Sequence, residues 1–152
     1  MKESVFTPLV GAAMLATALA GCSSAGHISA GGQSVSTNGH AKVIVDGKDQ
    51  NVRGNVTCQK AGGELQIGIG AGSPNSVAVQ ATDTNPPTIH QIALGTVDNV
   101  ALAYQQGSPG ASATATQDGD GYKFTGTATG VDKTNVTAGI VSKPFEIDVT
   151  CP

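Results

Sequence analysis

The sequence has no tryptophan, and its two tyrosines and three phenylalanines make up 3% of the chain. That scarcity argues against a base-stacking surface for nucleic acid and against a sugar platform of the usual aromatic kind. Charge is also sparse, with 12% of residues ionisable and a net charge of −3. Binding to a phosphate backbone needs clustered Lys and Arg, which this chain does not have. No apolar run approaches the roughly 20 residues needed to cross a bilayer as a helix. There are three cysteines, and no histidine lies near Cys58 or Cys151 at metal-ligand spacing. No cofactor or metal is expected.

What is present begins at the N-terminus. After Met1, Lys2 and Glu3 comes a mostly apolar stretch from Val5 to Ala20, free of charge from Leu9 onward. About a dozen apolar residues is the length of a signal-peptide core. It ends in Leu19-Ala20-Gly21-Cys22. This pattern matches the bacterial lipobox, a Leu, two small residues and a Cys whose thiol takes a diacylglyceryl group. Two or three acyl chains make a stable anchor, at about 0.8 kcal/mol per buried methylene. The plainer alternative is an ordinary cleaved signal peptide with Cys22 left as a thiol or in a disulfide. Position and flanks favour lipidation at Cys22, and with it a membrane-anchored protein on the extracytoplasmic side.

If Cys22 carries lipid, Cys58 and Cys151 remain. In an oxidising compartment these two are expected to form a disulfide. Such a bridge closes a long loop, worth roughly 4.6 kcal/mol in the chain-entropy account. Two buried free thiols are the alternative.

Residues 1–21 read as the signal peptide and residues 22–41 as the acylated Cys plus a Ser/Gly-rich flexible tether. Residues 42–152 read as one β domain. From Lys42 the pattern alternates with period two. Candidate strands lie around Val43 to Val45, Val56 to Cys58, Leu65 to Ile69, Val77 to Val79 and Ile89 to Leu94. Others lie at Val100 to Tyr104, Ser112 to Thr116, Tyr122 to Thr129 and Phe145 to Val149. Asn85-Pro86-Pro87 must turn, and Asp118-Gly119-Asp120-Gly121 is a hairpin signal. Eight or nine short strands predict an all-β fold, an antiparallel sandwich or curled sheet. Val136, Ile140 and Val141 predict a short helix near residues 131–142, or a loop packed over one end of the sheet.

No catalytic set emerges, and no enzymatic activity is expected. Gly110-Ala111-Ser112-Ala113-Thr114 lacks the final Gly of a serine-hydrolase elbow and precedes a strand. A hydrolase would have to rest on Ser112 and His90, and His90 reads more simply as a rim residue. Gly68-Ile69-Gly70-Ala71-Gly72 has no helix behind it to make a phosphate loop, so these glycines read as a bend or a close packing contact. Asp118 and Asp120 lack the remaining ligands of a calcium loop.

Several blocks together resemble the mycobacterial 19-kilodalton lipoprotein antigen family. They are Val43-Ile44-Val45-Asp46-Gly47-Lys48-Asp49-Gln50-Asn51-Val52, Asn85-Pro86-Pro87, Ser112-Ala113-Thr114-Ala115-Thr116, Thr125-Gly126-Thr127-Ala128-Thr129-Gly130-Val131-Asp132 and Phe145-Glu146-Ile147-Asp148-Val149-Thr150-Cys151. The resemblance runs from the lipobox to Cys151. It implies a surface-exposed cell-envelope antigen whose acylated N-terminus is sensed by host Toll-like receptor 2. It also implies O-linked mannose on the tether. The family tether is Thr-rich, whereas here Thr37 is its only threonine, so the candidate acceptors are Ser23, Ser24, Ser29, Ser34, Ser36 and Thr37. A second reading, a carrier of lipid or glycolipid, would use space left inside the sheet by small residues such as Gly68, Gly70, Ala78 and Ala101.

Overall fold

A computed structural model describes residues 28–30, 33–37 and 39–152, with side chains from residue 39 onward. The signal peptide, Cys22, Ser23 and Ser24 lie outside the described residues. The fold is all-β and antiparallel. Two short strands, β1 (Ile28–Ala30) and β2 (Gln33–Thr37), fall within the stretch read as tether. Ten strands follow: β3 (His40–Val45), β4 (Lys48–Asp49), β5 (Val56–Ala61), β6 (Glu64–Ile69) and β7 (Val77–Thr82), then β8 (Ile89–Val97), β9 (Val100–Gln105), β10 (Ser112–Asp118), β11 (Gly121–Asp132) and β12 (Ile140–Thr150). These ten make a strongly curled, half-barrel sheet.

Alternation explains each strand's two faces. In β6, Leu65, Ile67 and Ile69 are buried while Glu64 and Gln66 are exposed. In β7 and β9, Val77, Val79, Val100 and Leu102 turn inward. Short turns fix the register. Asp46-Gly47, Gly62-Gly63 and Asp98-Asn99 all have positive φ at both central residues, the conformation that matches strand twist in two-residue hairpins. The inward side chains form one continuous core, with Phe124, Leu65, Ile92 and Ile147 at 0% exposure. Tyr122 and Phe124 stack within it, ring centroids 6.2 Å apart.

Strand β11 is where the sheet divides. Along one edge it pairs β12 from Gly121 to Val131. Along the other it pairs β10 from Gly121 to Thr127, then β9 from Thr129 to Asp132. Gly126 and Gly130 permit this, because a Cβ on either would collide with backbone of Ser112 and Ala113 or of Ala101.

The region from Val131 to Ser142 differs from the sequence reading. It contains one 3-10 turn, Val136–Ala138, and β12 already begins at Ile140. Val136 and Ile140 are largely exposed, so neither packs over the end of the sheet. Local hydrogen bonds account for the missing helix. The Asp132 carboxylate accepts from both the N–H and the hydroxyl of Thr134, and Asn135 accepts from the Thr137 hydroxyl. Such bonds compete with helical ones, and the Thr, Val and Gly content favours helix little.

Candidate functional site

The two ends of the curled sheet meet at a seam. Thr37 of β2 pairs with Thr57 of β5, and His40 of β3 pairs with Thr150 of β12. Consecutive strands thus carry the chain from one end of the sheet to the other. Gly39 lies between them, packed against the Thr150 carbonyl and Val56 with no room for a side chain. A disulfide joins Cys58 to Cys151 at this seam, with Cα atoms 5.9 Å apart and a sequence separation of 93. Both cysteines are buried. The structure therefore pairs the two cysteines that the sequence reading paired.

Of the candidate glycan acceptors, Ser29 lies in β1 and Ser34, Ser36 and Thr37 lie in β2. Ser34, Ser36 and Thr37 oppose Lys60, Cys58 and Thr57 in the β2–β5 ladder.

The small residues invoked for a lipid-carrying interior do not line one. Ala78 and Ala101 are exposed on the outer face and Gly68 is half-buried there, opposite Ala78. The inward positions beside them are filled by Ile67, Ile69, Val77, Val79, Val100 and Leu102. Gly70 is a close packing contact, where a Cβ would lie 2.7 Å from the Val52 side chain and 3.0 Å from the Arg53 carbonyl. A groove of about 500 Å³ opens near the seam, between Lys42, Tyr122, Lys123 and Val149. It is an open surface groove and not an enclosed cavity.

Ser112 and His90 are not assembled into a catalytic pair. His90 Nδ1 is 3.3 Å from the Gln106 amide oxygen, and its Nε2 is 3.7 Å from Glu64. Ser112 opens β10 on the exposed face, opposite Thr127. Among the described residues no group of three or more His, Cys, Asp or Glu could hold a metal ion. No helix among them is long and apolar enough to cross a membrane.

Charge on the domain is arranged in surface pairs. Lys123 lies 3.0 Å from Glu146 and 3.4 Å from Asp148 across the β11–β12 ladder. Its hydrogen bond to Glu146 raises the ammonium pKa and holds the Glu146 carboxyl below its ordinary value. Lys143 bonds Asp46 at 2.9 Å, and that hydrogen bond lowers the Asp46 pKa. These pairs fix the outer surface of β3, β11 and β12 and form no reactive centre.

One arrangement exists only in the folded sheet. Register brings Gln59, Gln66, Gln80, Gln91 and Gln105 into a single row across β5 to β9. Nothing in their spacing along the chain signals this.

A curled antiparallel sheet, stapled at its seam and carrying paired surface charge, defines a small all-β domain. Residues 34–151 match the profile of the family described as Mycobacterium 19 kDa lipoprotein antigen. The chain is 42% identical to lipoprotein LpqH of Mycobacterium tuberculosis (strain H37Rv), over 99% of each chain. It is 51% identical to lipoprotein LpqH of Mycobacterium avium, over 72% of this chain and 67% of that one. A putative lipoprotein of Mycobacteroides abscessus is 34% identical over 99% of each. The chain belongs to the Mycobacterium 19 kDa lipoprotein antigen family.

Proposed function

We propose that this chain is a lipid-anchored envelope antigen whose action on a host lies in its acylated N-terminus. Acyl chains on Cys22 hold it to the extracytoplasmic face of the membrane. The β domain stands on the surface as a stable body without catalytic turnover, and Toll-like receptor 2 reads the lipidated end. One observation carries this reading. A lipobox, Leu19-Ala20-Gly21-Cys22, stands ahead of a domain of a lipoprotein antigen family, and the other two cysteines are joined to each other. That leaves Cys22 for lipid. The Ser residues at 23, 24, 29, 34 and 36, with Thr37, are the acceptors for any O-linked mannose.

The test is Cys22→Ala expressed in a mycobacterial host. The variant should leave the membrane fraction and lose the mass of its acyl chains. It should also fail to activate Toll-like receptor 2 reporter cells. Membrane retention and signalling equal to the unaltered chain would overturn the proposal.

A further inference from the structure

The five glutamines form a ladder on the outside of the sheet. Gln59 opposes Gln66, Gln66 opposes Gln80, Gln80 opposes Gln91, and Gln91 opposes Gln105. The last four are exposed and Gln59 is half-buried. Among the described residues, the hydrogen-bonded glutamine side chains are those of Gln50, Gln106 and Gln117. Beside the ladder runs a second row in register, Gly68, Ala78, Ala93 and Ala103. Neither row contains a charge. Charge flanks the two rows without entering them: Glu64 of β6 lies 3.7 Å from His90 of β8 and Lys60 of β5 pairs with Asp83, while Lys123, Glu146 and Asp148 sit on β11 and β12.

Strands lie about 4.8 Å apart, so five amides in register span roughly 19 Å. In a flat stack such amides bond to one another. On the convex outside of a curled sheet their tips fan apart, which favours bonds to something outside. Each amide offers two donors and one acceptor. A sugar hydroxyl is both donor and acceptor and suits either half. The absence of charge selects against phosphate and sulfate. The Gly/Ala row leaves space at backbone level where a sugar ring can lie flat beside the amides.

We propose that this ladder is a binding site for a neutral glycan chain, laid across β5 to β9 with about one sugar per strand. With no aromatic residue in either row, binding rests on hydrogen bonds and is weak per site. Many anchored copies on one surface would add avidity. The site does not depend on lipid at Cys22.

The experiment uses the full mature chain, with side-chain amide NMR signals of the five glutamines as the readout. The probes are linear pentasaccharides of glucose and of mannose, with a sulfated pentasaccharide as charged control. Neutral probes should shift the signals of Gln66, Gln80 and Gln91 together, and the sulfated one should not. Q66A/Q80A/Q91A should weaken binding about tenfold or more. Ala78→Glu, which sets a charge in the small-residue row, should do the same while leaving all five glutamines in place. Both variants must keep the thermal unfolding temperature of the unaltered chain, or be replaced by Q80A alone. No shift with any neutral probe overturns the proposal. So does binding that the variants leave unchanged, or shifts that follow protein concentration alone, which would assign the row to a second copy of the chain.

Discussion

Cys58 and Cys151 are bonded across the seam of the sheet, joining β5 to the end of β12. The other covalent link across the seam is the backbone passing from β2 to β3, and the core beside it is built largely of valine and isoleucine. Closing a loop of this length constrains the unfolded chain by roughly 4.6 kcal/mol in the entropy account. C58A/C151A should therefore lose about 2–5 kcal/mol in urea unfolding. A loss below about 1 kcal/mol would mean that the β2–β3 crossover closes the sheet unaided.

Much of this fold could be read from residues. Leu65, Ile67 and Ile69 alternate so strictly that β6 is evident, and with Cys22 read as lipidated, Cys58 and Cys151 are the pair an oxidising compartment favours. Three things were hidden, each for a physical reason. Val136 and Ile140 look like the apolar face of a helix, but Asp132 and Asn135 capture their neighbours first. Ala78 and Ala101 look like gaps in a core, but strand parity sends them outward. The glutamine row depends on four hairpin registers at once, and no single segment encodes it.

Glycine at the division of the sheet is required by space. A Cβ on Gly126 would lie 2.7 Å from the Ala113 α-carbon and closer to the Ser112 carbonyl, both backbone. Gly68 has nothing within 4 Å of the same position and no positive φ. Gly126→Ala should cost about 1–3 kcal/mol, in the range of overpacking. Gly68→Ala should fall within about 0.5 kcal/mol of the unaltered chain. Equal costs would show that β10 can shift away from β11 without loss.

The Asp46–Lys143 pair links stability to pH at both extremes. The Lys143 hydrogen bond holds the Asp46 carboxyl below its ordinary 3.8, and in return the ammonium is held above its ordinary 10.5. The folded state thus binds fewer protons than the unfolded state in the acid range, so stability rises with pH there. The pair's contribution is present between those two values. It is lost as acid protonates Asp46 below 3.8 and as base neutralises Lys143 above 10.5. Asp46→Asn keeps a residue tolerant of the positive φ at this position. Urea midpoints of the two proteins should differ at neutral pH and converge at both extremes. Added salt should narrow the gap, because the carboxylate is exposed. A difference that persists unchanged in acid would place its origin in the turn and not in the charge.

Isoleucines at the two ends of β12's burial range should respond in opposite ways. Ile140 is 76% exposed where β12 begins, while Ile147, seven residues on, is 0% exposed between Phe124 and Val43. Truncating a buried isoleucine removes its transfer energy and leaves a cavity, so Ile147→Ala should cost about 2–5 kcal/mol. Ile140→Ala removes a side chain that water already surrounds, and should change stability by no more than about 0.5 kcal/mol. Urea unfolding of the two variants at equal protein concentration measures both. A large loss for Ile140→Ala that shrinks on dilution would show that the hairpin tip is covered by another molecule in solution.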